Sequence, residues 1–201
     1  EAVPVDTRKG EQHEPDFLKI NPNAKVPALV DGDAVLFDSN AILLYLAEKT
    51  GRFLPGPGMA ARAQLLSWLM FVASGVGPYS GQCVHFRQVA PEAIPYARKR
   101  YTYEARRHWG IVEDRLSRGR YMLGEAYTIV DMAVWGWAAR IPYMLGEGAM
   151  AGYPGIARLM AEIDARPAAE RALALPGRHA FKTELDDAAM RAMYPQIFAP
   201  D

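Results

Sequence analysis

Two short constellations between Asn21 and Gly51 carry residue types suited to chemistry. Asp38-Ser39 stands immediately before AILLYLAEK, a run of helix formers closed by Gly51 in the usual C′ place. Asp and Ser are preferred helix caps. The free N–H groups and the dipole of a helix start favour an anion such as a carboxylate. Upstream lies Val26-Pro27. Proline cannot donate to a sheet ladder, so at a strand start it belongs on an edge or at a bend. If that bond is cis, the chain turns sharply there and leaves the N–H and C=O of Val26 open to another extended backbone. An extended edge beside a helix mouth suits a short anionic peptide better than a flat apolar ligand. The plainer alternative is that Asp38 and Ser39 only cap the helix. The dipeptide alone favours a trans Val26-Pro27 bond, since only ~5–6% of X–Pro bonds are cis.

The elements that must hold these residues follow from pattern. Residues 26–30 and 34–37 read as strands joined by Asp31-Gly32-Asp33, a hairpin signal. Before them, Ala2-Val3-Pro4-Val5 reads as a short strand, Asp6 to Pro15 as a polar loop, and Asp16 to Ile20 as a turn of helix. Phe53 to Gly58 is a Pro/Gly cluster and the clearest linker. Beyond it the chain is helical. Ala61, Leu65, Leu69 and Val72 recur at helical spacing over Ala60 to Ser74, and Gly75-Val76-Gly77-Pro78 then kinks or ends that helix. Glu92 to Leu116 is long, basic and amphipathic, with Ile94, Tyr101, Ala105, Trp109, Val112 and Leu116 on its apolar side. Thr128-Ile129-Val130-Asp131 has the form of a capping box. The helix it opens, MAVWGWAARI, is apolar almost all round, so it should be buried, with Pro142 ending it. Helices are expected from Tyr153-Pro154 to Ala165, from Arg166-Pro167 to about Leu173, and over Glu184 to Met193, with an extended YPQIFAPD end.

Composition narrows the function classes. The 201 residues carry no formal net charge and half are apolar, which suits a globular protein of one or two domains. Zero net charge argues against nucleic acid as a partner, which would need a basic face. No apolar run of membrane-spanning length and no secretory signal is expected, so no membrane partner is either. Cys83 is the one cysteine. A disulfide within the chain, a CxxC redox pair and a cysteine-rich metal site are therefore excluded, and a reducing cytosol is the natural setting. Cys83 reads as a buried thiol rather than a nucleophile. His13, His85, His108 and His179 match no ligand spacing, and no metal is expected.

The run NPNAKVPALVDGDAVLFDSNAILLYLAEKTG resembles the second half of the thioredoxin-like domain of glutathione transferases. SNAILLYLAEKTGRFLP, SGVGPYSGQ and PEAIPYARKRY are similar to the nu class, the bacterial glutathione-dependent disulfide-bond reductases. The resemblance implies an α/β thioredoxin-like domain over 1–54, an all-helical domain over 59–175 and a C-terminal extension over 176–201. It implies that the Val26-Pro27 bond is cis. It implies glutathione, as thiol or disulfide, as the cofactor, and a small disulfide or electrophile as the second substrate. By the same resemblance Gln12 contacts glutathione, Val26 and Pro27 meet its cysteinyl backbone, and Asp38 and Ser39 hold the γ-glutamyl group. Arg100 would reach a glutathione carboxylate from the helical domain. The family's usual Glu-Ser pair is Asp38-Ser39 here, one methylene shorter. The resemblance further implies a homodimer. The family's first strand and first helix, with the residue that donates to the glutathione sulfur, are expected before Glu1, so no catalytic residue is named. The leading expectation is a glutathione-dependent disulfide reductase or transferase. The alternative is a non-catalytic binding or regulatory module on the same fold. Conjugation of apolar electrophiles, with a second pocket near Phe71, Tyr79 and Tyr103, is a third.

Overall fold

The computed structural model describes residues 1–198. The chain divides into two units, Glu1–Ile42 with the residues from Pro167 onward, and Leu43–Arg166.

In the first unit a short helix, α1 (Pro15–Ile20), precedes an antiparallel hairpin of β1 (Ala28–Asp31) and β2 (Ala34–Phe37). Strand β1 starts after Pro27, not at Val26 as the pattern implied, because Pro27 has no N–H to give a ladder. Gly32 takes φ of 61° at the first of two loop positions, where a glycine meets the hairpin's need for positive φ. Register sets Leu29 opposite Leu36 on the half-buried face and Val30 opposite Val35 on the exposed one. The expected strand at residues 2–5 is absent. A strand exists only through a ladder partner, and neither edge of the two-stranded sheet pairs with these residues. Helix α2 (Ser39–Thr50) follows β2 directly.

The same unit takes in the chain's end, with α9 (Pro167–Ala174) and α10 (Asp187–Met193). Asp186 caps α10 by accepting the Ala189 N–H at 2.8 Å. The end expected to be extended forms a tight turn at Pro195–Ile197; residues 199–201 lie outside the described residues.

The second unit is helical. α3 (Met59–Phe71), a π-turn (Val72–Val76), α4 (Gly77–Val84) and a second π-turn (His85–Val89) form one helical path. Gly75 to Pro78 therefore kinks the helix rather than ending it; the wide turn absorbs the hydrogen bond that Pro78 lacks. A Cβ on Gly75 would come within 2.7 Å of the His108 ring, so that close approach requires glycine. The continuity also corrects the expectation about membranes. Met59–Val89 is long and apolar enough by composition to cross one. Its Leu65, Leu69, Val72, Val76 and Cys83 are buried, however, as core residues of a helical bundle.

Around this path pack α5 (Pro95–Ser117), α6 (Ile129–Ala138), α7 (Ile141–Leu145) and α8 (Pro154–Asp164). Ala105, Trp109, Val112 and Leu116 of α5 are buried as their spacing indicated, whereas Ile94 lies before the helix and is exposed. Pro142 does not simply end α6. It stands in the first turn of α7, where its missing N–H matters least. Glu113 of α5 caps α8, accepting the N–H groups of Gly155 at 2.7 Å and Ile156 at 3.0 Å.

The capping box on α6 is present, and Asp131 does more than cap. Its Oδ2 accepts the Thr128 N–H at 2.8 Å and the Thr128 hydroxyl at 3.1 Å. Its Oδ1 takes the Met122 N–H at 2.7 Å, from the preceding loop. Asp131 and Thr128 are both fully buried. Burial raises the carboxyl pKa, and these donors work against that shift. Asp131→Ala strands buried N–H donors, each at about 1–3 kcal/mol. The variant is expected to lose ~2–4 kcal/mol of stability by chemical denaturation, with Asp131→Asn intermediate.

Candidate functional site

At the start of α2, Asp38 has φ of 72°, a left-handed conformation that Asp tolerates better than most residues. This turns its short side chain back onto the helix. Oδ1 accepts the N–H of Asn40 at 2.8 Å and of Ala41 at 3.1 Å, and the Asp38 carbonyl takes the Ile42 N–H at 3.0 Å. Asp38 is therefore the cap, as the plainer alternative held. A full cap would leave no anion site, but this one is partial. The N–H and hydroxyl of half-buried Ser39 have no partner among the described residues, nor does Asp38 Oδ2. Two donors at a helix N-terminus thus stand beside one exposed carboxylate oxygen. That set complements a group carrying both a carboxylate and an ammonium.

The Val26-Pro27 bond is cis, as the resemblance implied and the dipeptide alone did not. Val26 is 48% exposed, and its main chain makes no hydrogen bond among the described residues. Val26 and Pro27 line a groove of about 620 Å³ with Val3, Phe17, Leu29 and Phe181 as further walls. The groove is mainly apolar. Gln12, Asp38 and Ser39 do not line it. Gln12 is not the open loop residue its sequence context indicated. It sits in the 3-10 turn Glu11–His13, 3% exposed, and its Nε2 donates to the Ala192 carbonyl at 3.2 Å.

Arg100 belongs to the helical unit. Its Nη1 donates to Glu104 Oε1 at 2.5 Å, and its side chain stays 47% exposed. Glu104 is buried and also receives Arg107 Nε at 2.8 Å. The Arg107 hydrogen bond, with charge from both arginines, holds the Glu104 carboxyl below the usual carboxylate range despite burial. Beside it, His108 is buried, with Nδ1 2.7 Å from the Glu104 carbonyl and Nε2 3.2 Å from Arg107 Nη2. Phe71 and Tyr79 stack on that ring, at 5.3 and 4.7 Å between centroids. They are thus occupied as packing partners, while Tyr103 stands exposed on α5. Cys83 is fully buried, its sulfur 3.8 Å from the Thr102 hydroxyl and 4.0 Å from the Met144 carbonyl. Burial pushes the thiol pKa up, which makes it a poor nucleophile.

Sequence reasoning missed Asn40, Glu104 and Ala192. Asn40 and Glu104 gave no signal beyond being polar within helices. Ala192 acts through a carbonyl that every residue has. Asn40 is 3% exposed, and its Oδ1 is unpartnered among the described residues.

Residues 1–48 match the family model "Glutathione S-transferase, N-terminal domain", and residues 95–162 match "Glutathione S-transferase, C-terminal domain". The disulfide-bond oxidoreductase YfcG of Escherichia coli is 42% identical over 178 residues, covering 85% of this chain and 81% of the relative. A glutathione transferase from Burkholderia graminis, solved with two glutathione molecules per subunit, superposes with a TM-score of 0.80 at 35% identity. That match covers 89% of this chain and 79% of the other. A glutathione transferase from Pseudomonas putida, solved with one glutathione disulfide per subunit, gives a TM-score of 0.79 at 33% identity. It covers 88% and 81% of the two chains.

The Glu104 cluster makes a pH prediction. A carboxyl with a lowered folded pKa contributes stability above its unfolded value of about 4.3, and that contribution is lost as pH falls through the folded value. Glu104→Gln is expected to lower the melting temperature at pH 7. The difference from the parent should close as pH drops below about 4.

Proposed function

Since the chain belongs to the glutathione transferase family, we propose that it binds glutathione at the start of α2 and uses its thiol to reduce small disulfides. The observation that carries this reading is the unfilled pair of donors on Ser39 beside the open oxygen of Asp38. The γ-glutamyl end of glutathione is an α-amino acid head. Its carboxylate fits the Ser39 N–H and hydroxyl at the helix N-terminus. Its ammonium fits Asp38 Oδ2. The shorter Asp suits this arrangement, because from a left-handed backbone it caps the helix with one oxygen and offers the other.

The remaining contacts follow the same reading. The exposed Val26 main chain pairs with the extended cysteinyl backbone of the tripeptide, with Pro27 fixing the bend. Gln12 adds a polar contact. Arg100, half exposed and oriented by Glu104, is a cation suited to a carboxylate. The glutathione-binding domain is then 1–54, the helical domain 59–175 and the C-terminal extension 176–201. The chemistry that glutathione brings is its thiolate, which attacks one sulfur of a disulfide and releases the other as a thiolate. A second glutathione resolves the mixed disulfide, giving glutathione disulfide and the second thiol. The protein's part is to bind and orient. Its own thiol, on Cys83, is buried and takes no part. Reductase activity is favoured over conjugation by the name of the E. coli relative and by the glutathione disulfide in the P. putida structure. The reading includes a homodimer in the cytosol, where glutathione is kept reduced and a single unpaired cysteine is unexceptional.

Removing a hydrogen bond to a charged group is worth about 1.5–3 kcal/mol. Ser39→Ala is therefore expected to raise the calorimetric Kd for glutathione by about tenfold to a hundredfold. Reduction of hydroxyethyl disulfide by the full-length protein should fall in parallel. Binding without turnover would replace the reductase with a non-catalytic binding module. An unchanged Kd in Ser39→Ala would remove the site.

A further inference from the structure

Helix α5 concentrates positive charge. Over residues 98–107 it carries Arg98, Lys99, Arg100, Arg106 and Arg107 against one carboxylate, Glu104, in a chain of no formal net charge. Two of these cations are built into the fold. Buried Glu104 takes Arg100 Nη1 on Oε1 at 2.5 Å and Arg107 Nε on Oε2 at 2.8 Å. One guanidinium balances one carboxylate, so the second leaves a positive charge that the cluster does not answer.

His108 does not answer it either. Its Nδ1 lies 2.7 Å from the Glu104 carbonyl, which can only accept, so Nδ1 carries the hydrogen and donates. Its Nε2 lies 3.2 Å from Arg107 Nη2, which can only donate, so Nε2 is the bare acceptor. The imidazole is therefore neutral, and it holds Arg107 in place. The ring itself is fixed. It is 4% exposed, with Phe71 and Tyr79 stacked on it and Gly75 so close that a Cβ there would come within 2.7 Å.

Arg107 thus commits Nε and one N–H of Nη2 to the fold. Its Nη1, and the Nε and Nη2 of Arg100, have no partner among the described residues. The two side chains stay 47% and 44% exposed, and positions seven apart share one face of a helix. We propose that Arg100 and Arg107 form a two-armed site for one carboxylate of a small ligand, with His108 as the positioning residue of Arg107. A single carboxylate answers the one uncompensated charge. Its two oxygens suit the planar edges of two guanidiniums. Glu104 and His108 order those edges before the ligand arrives, so less rotamer freedom is lost on binding. The site stands independently of the glutathione reading, since it uses only groups on α5 and their packing.

Acetate is the probe, titrated into the full chain and followed by NMR at the arginine Nε–H signals, with melting curves showing that each variant is folded. The Arg100 and Arg107 signals are expected to shift with one common Kd, and no shift at either would overturn the site. Arg107→Gln should raise that Kd about tenfold. Lys99→Gln removes the same charge from the same helix, at a side chain without a partner among the described residues, and should raise it less than twofold. Equal losses would mean general attraction to a basic helix and would overturn the site. His108→Phe keeps a ring between Phe71 and Tyr79 but removes the acceptor, with His108→Leu in reserve should the larger ring not fit. It should raise Kd about threefold in the parent and not at all beside Arg107→Gln. A further loss in the double variant would overturn the positioning role. Titrating glutathione separates the sources of the carboxylate. If Arg107→Gln weakens glutathione too, the site takes a peptide carboxylate; if it weakens acetate alone, the site takes a free organic acid, and either result upholds it. Ser39→Ala should leave acetate binding unchanged. Weaker acetate binding there would put the probe at the start of α2 and overturn the α5 site.

Discussion

An α-helix starts with N–H groups that its own turns cannot satisfy, and this chain meets that constraint in opposite ways at two helices. At α6 the capping carboxylate is fully used. Asp131 spends both oxygens on backbone donors and on the Thr128 hydroxyl, inside the core. At α2 the answer is partial. Asp38 takes the N–H groups of Asn40 and Ala41 and leaves those of Ser39 open. The α6 cap lies buried in the helical unit and ties the start of α6 to the preceding loop. The partly filled one is where an anion can bind. The same residue type serves both ends because a carboxylate has two oxygens, and what surrounds it decides how many are used.

Two further acceptor-rich clusters show how charged side chains are consumed by the fold. Glu113 reaches from α5 to the start of α8, and Glu104 gathers Arg100 and Arg107 beside a stacked histidine. The Arg98-Lys99-Arg100 run looks like a solvated basic face in the sequence. Arg100 departs from that description, since a buried carboxylate sets its direction. An arginine held in this way is poised rather than floppy, which suits the recognition of a carboxylate.

The local pattern in the sequence was strong wherever an element satisfies its own backbone. The hairpin, α2 with its Gly51 stop, the apolar face of α5 and the Thr128–Asp131 box were all legible, because turn chemistry, caps and period are properties of neighbouring residues. Local pattern failed where an element needs a partner from elsewhere. Residues 2–5 have strand-like composition but no ladder partner. The sequence left Gly75–Pro78 open between a kink and a helix end; the structure has the kink, where His108 packs close against Gly75.

By itself, the sequence determined the helix start at Asp38-Ser39 and the family likeness, since each depends on residue types at fixed spacing. Only the tertiary structure decided how those residues are used. It set the isomer at Val26-Pro27, the left-handed turn that lets Asp38 cap with one oxygen, and the burial of Gln12 under a helix some 180 residues away in sequence. Spacing along the chain specifies what a segment can do alone. Which hydrogen bonds remain unfilled is known only when every distant donor and acceptor has found its place.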